Sequence, residues 1–230
     1  MKLRIKFKKF GPVKFIGHLD VMRFFQKGLR RAEIDVAYST GFSPHQIMSF
    51  ASPLGVGLES NGEYFDVEIL TPISSQEFID KFNAVSTPWI QVTDVRLLPD
   101  KAGNAMASVA AAGYTVSFRE GRSFQKGWQD KFIDFMNQNQ ILVTKATKKG
   151  TAEIDLKPAI YDYKVLQGGV YLLINASSEG NIKPTLVMDA FAIYCGEVLD
   201  EHALMITREE TYGSRDGKFV PLAEFGEWME

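Results

Sequence analysis

The residues best suited to chemistry near the amino end of the chain are two histidines and a group of cations. His18 and His45 are two of three histidines in 230 residues, and an imidazole that titrates near neutral pH can serve as a general acid or base or contact a phosphate. Four cations have the spacing of neighbours on one side of a helix: Arg23, Lys27, Arg30 and Arg31. Because like charges on one helix face repel one another, this grouping favours an anionic partner over an ordinary solvated face.

The loop after this helix adds groups that can hydrogen-bond or stack. The Ser43 hydroxyl and the His45 imidazole can contact a phosphate or the edge of a base. Tyr38 and Phe42 in the loop, with Phe24 on the helix, can stack on unpaired bases, or they can be core residues that pack beneath the loop.

Charge is distributed unevenly along the chain. Residues 1–50 contain ten Lys or Arg and three Asp or Glu, a net charge of +7, whereas the whole chain carries −2. The other 180 residues therefore carry −9. A basic segment of this kind either meets a polyanion or is compensated by the acidic remainder folding against it.

Composition and motifs exclude several classes of protein. Apolar residues make up 45% and charged residues 23%, as in ordinary globular proteins. A single cysteine, Cys195, excludes an internal disulfide and a Cys-rich zinc or iron–sulfur site in this chain alone. No phosphate-loop, dinucleotide or paired His/Cys motif occurs, so we expect no metal and no cofactor. No apolar run approaches the roughly 18 residues of a membrane helix, and the alternating N-terminus is typical of a strand, so we expect a cytoplasmic protein without membrane contact.

Hydrophobic periodicity places these residues on a repeated order of elements. Alternation over 2–10 predicts a strand, and a 3.6-residue period over 18–32 predicts the basic helix. Strands over 46–51, 63–70 and 89–98 and a helix over 74–85 complete a β-α-β-β-α-β order, and a similar order with an extra strand follows a linker at 99–103. We predict an α+β protein of two tandem ferredoxin-like domains with antiparallel sheets, over 1–99 and 100–230. The first contains the basic helix and the Ser-x-Gly-Phe-Ser-Pro-His loop.

Three runs of sequence carry a family resemblance: Phe15-Ile16-Gly17-His18-Leu19-Asp20-Val21-Met22-Arg23, Leu29-Arg30-Arg31-Ala32 and Tyr38-Ser39-Thr40-Gly41-Phe42-Ser43-Pro44-His45. They closely resemble the pattern RF-x-SHLD-x-x-R … RRA … YS-x-GF-[NS]-PH-P of the radical-SAM-linked family, a bacterial family of unknown function. The match is specific over residues 1–70 and loose over the rest. Gly17 stands where the family usually has Ser, and Gln46 where it usually has Pro, and neither change removes a charged or titratable group.

The resemblance implies a companion of a radical S-adenosylmethionine enzyme, and such enzymes often modify RNA. This chain has no CxxxCxxC cluster loop, so the partner enzyme would supply any radical chemistry. We therefore expect a non-catalytic RNA-binding accessory protein that acts in tRNA or rRNA modification. Its expected nucleic-acid contacts are Arg23, Lys27, Arg30, Arg31, Ser43 and His45.

Two other functions remain open from the sequence. The family has a distant likeness, in double ferredoxin-like layout only, to CRISPR repeat-processing endoribonucleases, which allows a metal-independent RNA-processing enzyme with His18 and His45 as acid and base. Alternatively, the protein is an adaptor whose basic face docks on an acidic patch of the radical SAM partner.

Overall fold

The computed structural model describes residues 1–147, 150–200 and 202–230. Its α-helices are α1 (His18–Arg31), α2 (Ser75–Ala84), α3 (Ala105–Ser108), α4 (Trp128–Met136) and α5 (Pro184–Cys195). Its strands are β1 (Lys2–Lys9), β2 (Met48–Phe50), β3 (Glu59–Glu68), β4 (Ile90–Leu97), β5 (Ala111–Phe118), β6 (Leu142–Thr147), β7 (Gly150–Asp155), β8 (Ile160–Leu166), β9 (Gly169–Asn175), β10 (Leu204–Arg215) and β11 (Lys218–Pro221). The predicted α+β class with mostly antiparallel pairing is confirmed. Across these residues, no helix has both the length and the apolar character needed to cross a membrane.

The chain divides into two compact units, and the first is discontinuous in sequence. It comprises residues 1–110 and 208–230, while residues 111–207 form the second. The sequence predicts a boundary between two domains at residues 99–103, and that boundary stays a prediction. Turn-forming residues at 99–103 do mark a loop, but the segment after it still belongs to the first unit, where the Ala110 N–H donates to the Tyr212 carbonyl at 2.8 Å. Turn residues show where an element ends and carry no information on which unit the next segment packs in.

The first unit has its core between the sheet and the two longer helices. β1 pairs antiparallel with β3 and β4, β2 pairs with β3, and β10 and β11 extend the sheet beyond β3. The predicted alternation of β1 places Leu3, Ile5 and Phe7 in this core. Phe25 of α1 lies 4.6 Å from Phe7 and 5.1 Å from Phe82 of α2, between ring centroids. Each such buried side chain contributes about 1.5–3 kcal/mol to stability, so this cluster fixes α1 on the sheet.

The opposite face of β1 is covered, whereas its alternating charges predict exposure to water. Arg4 is 1% exposed and makes two hydrogen bonds to Asp66, with its Nε and Nη2 at 2.8 and 3.1 Å from Oδ1 and Oδ2. Lys6 pairs with Glu210 of β10 at 2.5 Å. The Leu222 carbonyl also accepts from Arg4 Nη1 at 3.4 Å. On this face, acidic residues from later in the chain therefore fold against the basic segment and neutralise it.

The second unit repeats the combination of antiparallel strands and two helices. β9 pairs antiparallel with β5 and β8, and the Arg119 N–H at the end of β5 donates to the Ala203 carbonyl just before β10. Phe132 and Phe191 pack face to edge in its core, with centroids 4.9 Å apart. β6 and β7 form a separate two-stranded hairpin.

Candidate nucleic-acid interface

Helix α1 presents two chemically distinct faces. Val21, Phe25 and Leu29 are buried in the core, while the cations on the other side are exposed. The helix begins after Gly17, whose backbone has the extended conformation of an N-cap but which provides no side-chain cap. Asp20 in the first turn and the two arginines of the last turn complement the helix dipole. Because the apolar side of this amphipathic helix packs in the core, the cations on the opposite side are exposed to solvent.

We define the basic face as Arg23, Lys27, Arg30 and Arg31. Arg23 pairs with Asp20 at 3.3 Å, but both side chains are more than half exposed, so the pair is weak. Arg30 Nε donates to the Gln26 carbonyl at 3.4 Å, and Arg31 donates to the Val85 carbonyl at 3.2 Å. Over the described ranges, Lys27, Arg30 and Arg31 form no ion pair with a carboxylate. The basic face therefore keeps most of its positive charge.

Four of the six cations that precede α1 are paired with carboxylates. Ion pairs form between Lys2 and Asp66 at 3.7 Å, and between Lys14 and Glu59 at 3.1 Å. Arg4 shares Asp66 with Lys2, and Lys6 pairs with Glu210, so three carboxylates face these four cations. Much of the excess charge of residues 1–50 therefore lies on α1.

We define the α1–β2 loop as residues 38–46, which form a narrow hairpin. Tyr38 and Gln46 pair as an antiparallel bridge, and the Ser39 N–H donates to the His45 carbonyl at 2.8 Å. The Ser39 hydroxyl lies 2.9 Å from His45 Nδ1 and accepts from the His45 N–H at 3.1 Å. His45 Nδ1 also lies 3.5 Å from the Ser43 carbonyl, so the tautomer of the ring decides whether Nδ1 accepts from Ser39 or donates to Ser43. Ser43 and His45 are both exposed.

This loop is attached to α1 beside the basic face. Gln46 Nε2 donates to the Gln26 carbonyl at 3.3 Å, the same carbonyl that accepts from Arg30. Phe42 at the tip is fully exposed and Tyr38 is 48% exposed, so both rings are accessible for stacking. Phe24 is different because it packs against Phe82, 6.4 Å between centroids, and belongs to the edge of the core. The structure thus brings the predicted cations and the predicted loop together.

His18 lies apart from this assembly. At 100° per residue it falls on the core side of α1, opposite the basic face. Its half-buried ring packs edge-on against Phe50 at 5.2 Å, whereas His45 contacts Ser39. The loop attaches at Gln26, eight residues along the helix, or about 12 Å from His18 along the axis. The two histidines therefore do not face a common group.

A buried ionisable cluster near His18 escaped the sequence analysis. Lys9, Glu63 and Arg208 are 2%, 6% and 4% exposed, and Arg208 Nη1 lies 2.8 Å from Glu63 Oε1. Burial lowers the pKa of Lys9 from its ordinary value of 10.5, and the Glu63 carboxylate opposes that change. The sequence contains one local sign of this cluster, because two consecutive lysines, Lys8 and Lys9, break the alternation of β1. The strand register shifts at this point, between Phe7 and Lys9. Glu63 and Arg208 are 145 residues apart, so no sequence pattern relates them.

The described residues contain no group of three or more His, Cys, Asp or Glu side chains placed to hold a metal ion. Residues 2–184 match a family described as an uncharacterized protein conserved in bacteria (DUF2344). The matched region includes α1 and the α1–β2 loop. No curated protein matches the chain significantly.

Proposed function

The chain belongs to this family of uncharacterized bacterial proteins, and we propose that it is a cytoplasmic protein that binds RNA through the basic face and the α1–β2 loop without catalysing a reaction itself. One observation carries the proposal. Within the described residues, Lys27, Arg30 and Arg31 are exposed without carboxylate partners, whereas Lys2, Arg4, Lys6 and Lys14 are each paired with one. Charge left unpaired on one face, in a chain with excess carboxylates elsewhere, is suited to a polyanion.

The loop supplies contacts that phosphate binding alone does not need. Exposed Phe42 and Tyr38 offer stacking surfaces for unpaired bases, a mode of binding available for single-stranded RNA. Ser43 and His45 supply hydrogen-bonding groups beside them. We therefore propose a single-stranded loop or end of a tRNA or rRNA as the bound element.

The resemblance to the radical-SAM-linked family supports a modification enzyme as the partner. In this proposal, the radical SAM enzyme carries out the chemistry and the present protein positions the RNA. The division into two ferredoxin-like domains is part of the same proposal. It is supported by the strand order β4-β1-β3-β2 in the first unit, and by β5, β9 and β8 with the beginning of β10 in the second.

The salt dependence of RNA affinity tests the basic face. Substituting both Arg30 and Arg31 by Ala removes two cations, so we expect the slope of log affinity against log salt to flatten by about 1.4 units for single-stranded RNA. Fluorescence anisotropy of a labelled single-stranded oligonucleotide measures this slope. The matched control replaces Lys101 and Lys218, two exposed cations of the same unit away from α1, and should leave the slope unchanged. Equal slopes in the two double variants would refute the assignment.

The loop has its own test. Phe42→Ala should weaken binding by about 1–3 kcal/mol for each base stacked, without changing the salt slope, because stacking releases no counterions. Leu70→Ala, which truncates a 65% exposed apolar side chain of the same unit, is the control. An affinity that Phe42→Ala leaves intact would remove the loop from the interface.

RNA incubated with the protein in EDTA should stay intact, and cleavage abolished by His45→Ala would instead establish the endoribonuclease alternative.

A further inference from the structure

Three large apolar side chains are exposed at the start of α1 and on the loop beside it. Phe15, in the turn before α1, is 65% exposed, and Leu19 in its first turn is 62% exposed. Val56 is 61% exposed, and its loop is attached to this turn because the Gly57 N–H donates to the Lys14 carbonyl at 2.9 Å. We define the apolar patch as Phe15, Leu19 and Val56. Large apolar side chains grouped in solvent are typical of an interaction surface.

The apolar patch continues into the basic face along α1. Leu19 precedes Arg23 by four residues and Gln26 by seven, so the three lie along one line on the helix. The α1–β2 loop attaches at the Gln26 carbonyl, which is about 10 Å from Leu19 along the helix axis. A strand that leaves this loop along α1 therefore crosses the basic face and reaches the apolar patch.

The charges beside the apolar patch are compatible with an anionic strand. Lys14 Nζ lies 5.6 Å from the centroid of the Phe15 ring. The two carboxylates nearest in the chain each have a cation partner, because Asp20 pairs with Arg23 at 3.3 Å and Glu59 with Lys14 at 3.1 Å. Cations next to exposed rings are the combination that single-stranded nucleic acids bind, through their phosphates and the faces of their bases.

We infer that the bound single-stranded RNA extends along α1 and stacks a second base on Phe15, with Leu19 and Val56 as the apolar surroundings of that base. This inference rests on the proposed function and adds the length of the RNA segment. A distance of about 10 Å is about three times the 3.4 Å rise per nucleotide of a stacked strand, so the ligand has at least about four consecutive unpaired nucleotides. A double helix is disfavoured because its bases stack on one another and not on side chains.

The dependence of affinity on RNA length tests this second contact. Fluorescence anisotropy of the full-length protein is measured with labelled random-sequence RNA oligonucleotides of three and eight nucleotides. Phe15→Ala should weaken binding of the longer RNA by about 5- to 150-fold and change that of the shorter by less than about twofold, because only the longer one spans both contacts. Phe42→Ala should weaken binding of both.

Two further variants serve as controls. Phe15→Trp keeps a stacking surface and should bind the longer RNA at least as tightly as the unmodified protein. Leu70→Ala truncates a side chain that is also 65% exposed in the same unit, and it should leave both affinities unchanged.

Each contrary result identifies which hypothesis fails. If Phe15→Ala has no effect on the longer RNA, or the same effect at both lengths, the inference is overturned while RNA binding by the basic face stands. If neither RNA binds the unmodified protein, the proposed function is refuted, and the inference with it. Vesicles containing phosphatidylserine should show no binding that depends on Phe15. Vesicle binding abolished by Phe15→Ala, with RNA affinity intact, would assign the apolar patch to a lipid surface and overturn the inference.

Discussion

At the scale of single residues, the surroundings of each charged side chain determine how much its ion pair contributes to stability. Arg4 and Asp66 are both almost completely buried, while Arg23 and Asp20 make an ion pair in solvent. A charge that loses its partner inside the protein stays desolvated, whereas one at the surface is solvated by water. Similar Arg–Asp pairs therefore have very different energetic consequences here.

Substitution of the two aspartates measures this difference. Asp66→Asn keeps the shape but leaves Arg4 buried without a counter-charge, so we expect a loss of about 3–5 kcal/mol in the free energy of unfolding. Asp20→Asn should change it by less than about 1 kcal/mol. Urea denaturation gives both values, and similar losses would contradict the assigned burial.

The buried hydroxyl of Tyr64 should make the stability of the protein depend on pH in the alkaline range. Its burial, together with the Glu210 carboxylate 2.8 Å from its hydroxyl, raises the pKa of Tyr64 well above its ordinary value of 10. Above pH 10 the unfolded state releases this proton and the folded state keeps it, so stability falls as pH rises. Tyr64→Phe should reduce this slope by about one proton. The lowered pKa of Lys9 makes stability rise with pH, but this contribution is the same in the unmodified protein and in Tyr64→Phe. Unfolding free energies of both proteins between about pH 9.5 and 11 give these slopes, and equal slopes of free energy against pH would contradict the raised pKa of Tyr64.

At the scale of elements, α1 connects the core with the proposed interface. Its apolar side packs on the sheet and on α2, and its basic face borders the loop attached through Gln46. The approach of α1 to α2 depends on Gly28, where an added Cβ would lie 2.7 Å from the ring of Phe82. A close approach here allows the stacked Phe25–Phe82 pair to form.

Two glycine substitutions separate packing from helix propensity. Alanine at position 28 gains up to about 1 kcal/mol of helix propensity but meets the fully buried Phe82, so we expect a net loss within about 1–3 kcal/mol. A Cβ at position 17 meets nothing within 4 Å, and Gly17→Ser adds an N-cap side chain, so this substitution should gain a few tenths of a kcal/mol. Thermal unfolding compares the two proteins, and a stabilised Gly28→Ala variant would show that the helices have room to separate.

At the scale of the whole molecule, the first unit depends on the end of the chain. Residues 208–230 supply Arg208 to Glu63 and Glu210 to Lys6. The backbones of Leu97 and Glu227 exchange two hydrogen bonds, and the Met229 N–H donates to Ser75 Oγ at 2.9 Å. We therefore expect this unit to fold only when both segments are present.

A truncation tests this dependence. We expect a fragment of residues 1–110 to lack cooperative unfolding, because Glu63 and Lys6 lose their partners and the sheet loses β10. Joining residues 1–110 to 208–230 through a short flexible linker should restore a folded unit. Dispersion of ¹H–¹⁵N amide resonances and urea unfolding distinguish the two. A fragment 1–110 that folds cooperatively by itself would contradict the assignment of residues 208–230 to this unit.

The sequence alone determined the features that depend on near neighbours. Periodicity identified α1, the alternation of β1 and most later elements, and helical spacing placed the four cations of the basic face on one side. The class α+β followed from the order of these elements. Spacing did not indicate that His18 packs on Phe50 while His45 contacts Ser39, because the path of the loop depends on where it packs.

Only the tertiary structure decided which charges are neutralised. Arg4 meets Asp66 across 62 residues, Lys6 meets Glu210 across 204, and Lys9 turns inward at an irregularity in strand register. Local sequence reports which side chains share a face, because backbone geometry repeats within a few residues. It does not report what covers that face, because the covering segment is brought there by folding of the whole chain.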